Sequence, residues 1–190
     1  VNFPASALGG LIVSAEPLTL GMSGSAATGR LTLTIRSDNG TDLLDAFGLE
    51  LRLTSTTDRY VSFVNPSVDP QLGNSSYIFH GDSVGEVDGP PGGVISSVVN
   101  PNDTYIGGDG TLSGLGAVVP TLDPLNTKIL IQVDITSLTS SAPLDGDSFF
   151  LTLVGGASTF FNGPIPALGG APPAFNVLFA EVPINITAVP

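Results

Sequence analysis

The sequence predicts an all-β fold, an antiparallel two-sheet sandwich of jelly-roll type that carries an extended N-terminal segment. Apolar and polar residues alternate with a period of two along most of the chain, which places successive side chains on opposite faces of a strand. The 24 glycines and 16 prolines divide these stretches into short pieces, and no window has the spacing of an amphipathic helix. Many short strands joined by long connections favour a sandwich over an alternating α/β sheet.

Two stretches predict the core strands, and the rest of the chain supplies shorter ones. The inward-facing residues are Phe47, Leu49, Leu51 and Leu53 in residues 46–54, and Ile129, Ile131, Val133 and Ile135 in residues 129–135. Further strands are predicted at residues 11–15, 30–36, 60–64, 76–80, 94–99, 148–154, 159–161, 175–181 and 184–189. One short helical turn, at residues 41–44, is the most helix that the pattern allows.

The first 20 residues are unusually apolar for the end of a domain, with Glu16 as their single charge. Chain ends tend to be polar and disordered unless something holds them. We therefore divide the chain into an N-terminal segment, residues 1–25, and a single sandwich domain, residues 26–190. The segment can complete the open sheet edge of a neighbouring copy or pair within its own domain, and the sequence leaves both open. Its contact residues are predicted to be Phe3, Leu8, Leu11, Ile12, Val13, Leu18 and Leu20.

Composition excludes several classes of function. The formal net charge is −12, from 5 basic and 17 acidic residues, so the chain lacks the basic footprint that nucleic acid requires. Cysteine is absent, which rules out disulfides and thiolate metal sites. No run approaches the roughly 20 apolar residues of a membrane span, and no basic stretch precedes an apolar run at the start. We expect Val1 to be a mature N-terminus and the protein to be extracellular or at the cell surface.

No residue pattern predicts catalysis. His80 is the only histidine, and no Gly-x-Ser-x-Gly motif accompanies it, so a Ser-His-Asp site has no sequence support. We interpret His80 as a strand-end residue beside Gly81. The acidic residues lie mostly in glycine- and proline-rich turns, where carboxylates commonly cap the backbone. The chain is therefore predicted not to be an enzyme.

Calcium is the one cofactor with any support, and that support is weak. Residues 100–110 combine oxygen donors with glycines in a predicted loop, the setting that calcium prefers. The candidate ligands are Asn102, Asp103 and Asp109. Their spacing matches no EF-hand, and the alternative interpretation is a capped turn.

The sequence suggests two possible relations to carbohydrate: attached glycans and a bound polysaccharide. Four Asn-x-Ser/Thr sequons begin at Asn39, Asn74, Asn102 and Asn185, and the first three fall in predicted turns where a glycan could be attached. A polysaccharide ligand would need exposed aromatic faces. Without tryptophan, the candidates for sugar stacking are Tyr60, Tyr77 and Tyr105.

Residues 29–66 resemble the opening of cohesin-like and related carbohydrate-module sandwiches. The matching runs are Gly-Arg-Leu-Thr-Leu-Thr-Ile-Arg-Ser-Asp-Asn-Gly, Ala-Phe-Gly-Leu-Glu-Leu-Arg-Leu-Thr and Tyr-Val-Ser-Phe-Val-Asn-Pro. The resemblance implies a cohesin-like sandwich. The Tyr-Asp-Pro that commonly follows in cohesins is missing, which argues against dockerin binding.

Residues 29–190 also resemble secreted bacterial proteins that carry a PEP-CTERM sorting signal. The matching pieces begin at Asp42 (Asp-Leu-Leu-Asp-Ala-Phe-Gly-Leu-Glu), Phe63 (Phe-Val-Asn-Pro), Asp69 (Asp-Pro-Gln-Leu-Gly), Pro101 (Pro-Asn-Asp-Thr-Tyr-Ile-Gly-Gly-Asp-Gly) and Gly146 (Gly-Asp-Ser-Phe). Thr187-Ala-Val-Pro190 is similar to the run that precedes the signal in that family. This resemblance implies export and surface display.

The leading hypothesis is an extracellular structural subunit whose copies assemble, by donation of the N-terminal strand, into a filament or surface layer. The alternative is a monomeric secreted module that binds polysaccharide or calcium. Copies of the chain are the predicted partner under the first hypothesis, and extracellular polysaccharide is the predicted partner under the second.

Overall fold

The protein, seen in a computed structural model, is a sandwich of two curled β-sheets. The described residues are 10–22, 27–55, 61–67, 69–87, 96–99, 103–121, 127–137 and 148–188. They contain fourteen strands and one four-residue helix, α1 (Val84–Val87). The predicted all-β sandwich is confirmed.

The first sheet has five strands in the order β13-β1-β3-β10-β6. Their bounds are β1 (Gly10–Ala15), β3 (Thr28–Ser37), β6 (Val61–Phe63), β10 (Lys128–Ser137) and β13 (Asn176–Phe179). All neighbours are antiparallel except β1 and β13, which are parallel. Alternate residues of β3 are buried, as the period-two pattern predicts, and so are those of β10 from Ile131 onward. At the start of β10 the prediction was wrong: a register shift between Ile129 and Ile131 leaves Ile129 half-buried and buries Leu130 instead.

The second sheet has seven strands, six of them in the order β2-β14-β11-β5-β8-β7, with β12 also paired to β5. Their bounds are β2 (Leu18–Met22), β5 (Ala46–Ser55), β7 (Ser96–Val99), β8 (Thr104–Gly110), β11 (Phe149–Leu153), β12 (Phe160–Asn162) and β14 (Val182–Ala188). Strands β2 and β14 are parallel. A separate two-stranded sheet joins β4 (Leu43–Leu44) and β9 (Ala117–Val118).

Inward-facing side chains of both sheets form one core. Phe47 stacks between two rings, with centroid distances of 5.8 Å to Phe79 and 6.1 Å to Phe161. Phe63 from the first sheet packs at 5.6 Å from Tyr105 of the second. The Phe63–Tyr105 contact joins the two layers, and all three ring pairs lie at favourable separations.

Three local predictions were wrong. Residues 76–80 form turns rather than a strand, and only a bridge between Tyr77 and Ile129 remains of the predicted pairing. Residues 41–44 do not form a helical turn; Leu43–Leu44 is strand β4, and the helix lies at Val84–Val87. Strands β2, β8 and β9 were not predicted at all.

Strand β8 was missed because its glycines suggested a loop. Gly108 instead lies where β8 approaches β5 closely, and a Cβ atom added there would be 2.7 Å from the Phe47 carbonyl oxygen. At Gly107 an added Cβ would be 2.9 Å from Ile131 of the opposite sheet. Both glycines therefore allow tight packing within the sandwich rather than a turn.

Candidate assembly site

Strand β1, the described start of the predicted N-terminal segment, lies between β3 and β13 with a hydrogen-bonded partner on each side. Leu11 and Val13 point into the core and are 0% and 1% exposed. Ile12 faces the other way and lies opposite Leu178. Of the predicted contact residues, Phe3 and Leu8 lie outside the described part of the chain.

The segment continues from the first sheet into the second. After Glu16 and Pro17 it forms β2, where Leu20 is 2% exposed and Leu18 packs against the core. Leu20 lies so close to β3 that an added Cβ at Gly29 would be 2.6 Å from its Cδ2. The absence of a side chain at Gly29 therefore makes room for β2 to cross over β3.

The segment runs parallel to the C-terminal strands throughout. Gly10 lies opposite Asn176, and Leu18 lies opposite Ile184, so the two pairings keep one continuous register. In the first sheet β1 lies inside and β13 is the edge strand, whereas in the second sheet β14 lies inside and β2 is the edge strand. The N-terminal segment and the C-terminal strands therefore pass side by side from the first sheet to the second.

Burial gives the segment a large share of the fold's stability. Full burial of an apolar side chain contributes about 1.5–3 kcal/mol, so Leu11, Val13 and Leu20 together contribute about 6 kcal/mol. A domain of this kind is stable by only about 5–15 kcal/mol in total. If β1 and β2 leave their positions, the equivalent segment of the same chain or of another copy must therefore take their place.

The outer face of the five-stranded sheet carries a shallow groove of about 580 Å³. Several polar side chains line it beside apolar ones: the Ser14 and Thr34 hydroxyls are 3.3 Å apart, and Arg30 donates two hydrogen bonds to Asp134, at 2.7 and 2.9 Å. The described residues that line this groove include no aromatic ring. It therefore lacks the stacking surface that a sugar ring prefers.

The predicted calcium ligands are not brought together. Asp103 and Asp109 stand at opposite ends of β8, about 20 Å apart at the rise of an extended strand, whereas calcium ligands lie about 2.3–2.6 Å from one ion. Asn102 lies outside the described residues. No group of three His, Cys, Asp or Glu residues in the described part of the chain is arranged to hold a metal ion.

Asp109 has a structural role instead, as the acceptor of four hydrogen bonds. One carboxylate oxygen accepts from the Tyr77 hydroxyl at 2.8 Å and from the Ser83 hydroxyl at 2.5 Å. The other accepts from the backbone N–H groups of Gly85 at 3.1 Å and Gly110 at 2.8 Å. Asp109 thus fastens the turns of residues 77–85 to the end of β8.

Burial, and after it the negative charge of Asp109, raises the pKa of the Tyr77 hydroxyl far above its usual value. Tyr77 therefore remains a donor to Asp109 at any physiological pH. Tyr77 and Tyr105 are 0% and 1% exposed, so the prediction that they could stack on a sugar is wrong. Tyr60 lies outside the described residues.

His80 lies in a turn and not at a strand end. Its Nδ1 is 3.3 Å from Glu86, and the Glu86 carboxylate also accepts from the N–H groups of Gly73 at 3.1 Å and Gly81 at 2.9 Å. Burial alone would raise the pKa of Glu86, but the hydrogen bonds from Gly81, Gly73 and His80 outweigh it and leave the pKa below its usual value. This arrangement stabilises a turn.

Three sequon asparagines lie in the described residues. Asn39 is exposed in a turn, where its Oδ1 accepts from the Thr41 N–H at 2.9 Å. Asn74 is half-buried and caps a turn by accepting from the Ser76 N–H at 2.9 Å. Asn185 is exposed on β14, and Asn102 lies outside the described part. Glycosylation at these positions stays a prediction.

One end of the sandwich carries a cluster of exposed apolar side chains that the sequence analysis missed. We call it the apolar end, and its members are Leu43, Leu112, Leu115, Val118, Ile165 and Leu168, which are 39% to 101% exposed. They make up six of the eleven large apolar side chains that are exposed in the described residues. The uncharged, proline-rich sequence of residues 163–175 is the signal that could have revealed it.

The chain matches no protein-family model and no curated protein sequence. Solved structures of cohesin modules do match its fold. A type III cohesin module from the cellulosomal ScaE cell-surface anchoring scaffoldin of Ruminococcus flavefaciens matches with a TM-score of 0.57 and 11% identity, over 98% of this chain and 93% of that one. The third ScaC cohesin of Acetivibrio cellulolyticus, solved in complex with the ScaB dockerin, matches with a TM-score of 0.50 and 13% identity, over 93% and 98% of the two chains.

These likenesses establish the class of fold: a cohesin-like β-sandwich, as the opening strands predicted. Identities of 11% and 13% define the fold alone. None of the helices in the described residues could cross a membrane.

Proposed function

We propose that this chain is a non-catalytic structural subunit of an extracellular assembly, and that its N-terminal segment is exchanged between copies. The observation that carries the proposal is the position of β1, which fills a slot between β3 and β13 and is hydrogen-bonded on both sides. Every contact that β1 and β2 make with the rest of their own chain can be made equally with another copy of that chain. Such exchange of an identical element is a low-cost route to assembly.

The sequence around the segment favours exchange. Residues 23–27, which connect β2 to β3, are Ser-Gly-Ser-Ala-Ala, a short run of small residues, and short connections under strain promote swapping between copies. An exchange that repeats without closing produces a filament, because each subunit then receives one segment and gives another.

An extracellular location is supported by three features. The chain has few charges, it resembles exported PEP-CTERM proteins, and its fold is shared with a module from a cell-surface anchoring scaffoldin. The likeness to cohesins also favours a role in protein assembly rather than in catalysis, since one of those modules was solved with a protein partner.

Exchange can be tested by a disulfide placed between β1 and β3. Ser14 and Thr34 have facing side chains whose oxygens are 3.3 Å apart, and the chain has no cysteine of its own. The double variant Ser14→Cys/Thr34→Cys should give a ladder of covalent multimers after oxidation, seen on a denaturing gel without reductant. A matched pair is Thr28→Cys/Thr136→Cys, with oxygens also 3.3 Å apart.

The matched pair joins β3 to β10, which both belong to the sandwich domain, so it should crosslink within single chains only. If the Ser14/Thr34 pair also gave only crosslinked monomers, at concentrations where the native protein polymerises, the segment would close within its own domain and exchange would be wrong. Electron microscopy of the same samples identifies the polymers.

Polysaccharide binding by a monomer is the second candidate, and one surface favours it. Phe160 is 43% exposed, and its ring lies against Gly48 on the outer face of the seven-stranded sheet, beside an open hollow of about 780 Å³. An aromatic face over glycine can stack on a sugar ring. Glycan binding by a stable monomer, abolished by Phe160→Ala, would favour this function over assembly.

A further inference from the structure

The geometry points to the apolar end as the docking site for residues 1–9 of the chain that supplies β1. This inference goes beyond the proposed exchange and does not depend on it. Whichever chain provides β1, the residues before Gly10 leave the sandwich at the same place.

The first step is the position of Gly10. Its N–H donates to the Asp38 carboxylate at 2.9 Å, and its carbonyl accepts from the Asp38 N–H at 3.0 Å. The neighbouring Ser37 N–H donates to the carbonyl of Pro120 at 2.8 Å. Gly10 is therefore fixed at the end of the sandwich that also holds β9 and Pro120.

The second step is the arrangement of the apolar end around that place. Leu43 and Val118 are paired across β4 and β9. The loop of residues 163–175 comes against them: an added Cβ at Gly116 would be 2.8 Å from Pro164 and 3.2 Å from the Leu43 side chain. The same loop leads directly into β13, whose first residue lies opposite Gly10.

The third step is complementarity. Residues 111–121 and 163–175 contain no charged side chain, in a chain with 22 of them. Residues 1–9 have no charged side chain either, and include Val1, Phe3, Pro4 and Leu8. Exposed apolar clusters of this kind mark interaction sites, and two uncharged surfaces can meet without burying an ion.

The fourth step is reach. Nine extended residues span up to about 30 Å, which is enough to cross one end of a small sandwich. The acidic remainder of the chain, with its net charge of −12, disfavours a second sandwich packed at this end by comparison with a neutral peptide. Residues 1–9 are thus the occupant that the composition favours.

Thiol reactivity tests this directly, because the full chain contains no cysteine. A single Val118→Cys probe should react slowly with a maleimide in the otherwise native chain. Adding Phe3→Asp and Leu8→Asp should raise the rate at least about tenfold, since a site covered nine-tenths of the time leaves one-tenth of its thiols reachable. The control Asn2→Asp/Ser6→Asp adds equal charge but keeps the apolar side chains, and should leave the rate slow.

A second probe, Val99→Cys, is exposed where β8 begins, at the other end of the sandwich, and should react at one rate in all backgrounds. Equal rates for Val118→Cys with and without the Phe3 and Leu8 changes, whether fast or slow, would overturn the inference.

A crosslink gives an independent measurement. Phe3→Cys/Val118→Cys should oxidise to a disulfide, while Phe3→Cys/Val99→Cys should not, and failure of the first pair to crosslink counts against docking. A disulfide within one chain supports docking and contradicts exchange, and a disulfide between chains supports both, so the two proposals can fail separately.

Discussion

Asp109 offers the sharpest test of how the structure is held together, because its two oxygens serve four donors. Asp109→Ala removes all of these bonds and leaves the Tyr77 hydroxyl without an acceptor at 0% exposure. A hydrogen bond to a charged group contributes about 1.5–3 kcal/mol, and a stranded buried polar group costs about 1–3 kcal/mol. Allowing for non-additivity within one network, we expect a loss of about 4 kcal/mol.

The isosteric change Asp109→Asn separates shape from charge. An amide offers one acceptor oxygen, so two of the four donors would face an NH₂ group whichever way it turns. A loss of about 2–3 kcal/mol is expected, which lies between the native protein and the alanine variant. Urea unfolding followed by circular dichroism measures both changes from the midpoint and slope.

A second change at Tyr77 supplies the result that can refute this reasoning. Tyr77→Phe should cost about 1.5–3 kcal/mol in the native protein, because it removes one hydrogen bond to a charged carboxylate. In the Asp109→Ala background it should cost nothing or be stabilising, since it removes the stranded hydroxyl. An equal cost in both backgrounds would show that the hydrogen bond does not stabilise the fold.

Added calcium should not shift the midpoint of the native protein, whereas a calcium-dependent rise would restore Asp109 as a ligand.

Two further predictions test local features. Hydrogen bonds hold the pKa of Glu86 below its unfolded value of about 4.3, so they add stability above that pH. This stability is lost as the pH falls through the lowered pKa. Glu86→Gln should therefore lower the unfolding midpoint at pH 7, and the difference from the native protein should vanish in acid. Gly108→Ala, which places a methyl group 2.7 Å from a carbonyl oxygen of β5, should cost about 1–3 kcal/mol, while Gly155→Ala, with nothing within 4 Å, should change the midpoint little.

The all-β class could be predicted because burial on one face imposes a period of two, which is visible in strands such as β5 and β10. Strand β2 was missed because it is a short edge strand, and its two inward-facing residues, Leu18 and Leu20, are too few to establish a period of two. Strand β8 was missed for a different reason: it lies inside the sheet, between β5 and β7. There Gly107 and Gly108 are required by close neighbours that are distant in sequence.

The burial of the N-terminal segment could be predicted in part for the same reason, while its role in assembly stays a prediction. The apolar character of Leu11, Val13 and Leu20 is local and identified the N-terminal segment as a contact surface. The parallel pairing with β13 and β14 joins residues from opposite ends of the chain, and nothing local encodes it. The supposed calcium ligands failed on distance, since Asp103 and Asp109 are neighbours in a loop but far apart in a strand.

The shared register of the two terminal pairings bears on what kind of polymer exchange can build. A donated segment must match the receiving subunit twice, at Asn176 in the first sheet and at Ile184 in the second. A slip of one residue would turn Leu11 and Val13 out of the core in one sheet and Leu20 out of it in the other. Both sheets therefore enforce the same alignment of a donated segment. Exchange through this segment would thus place every donated pair of strands in the same register of its receiving subunit.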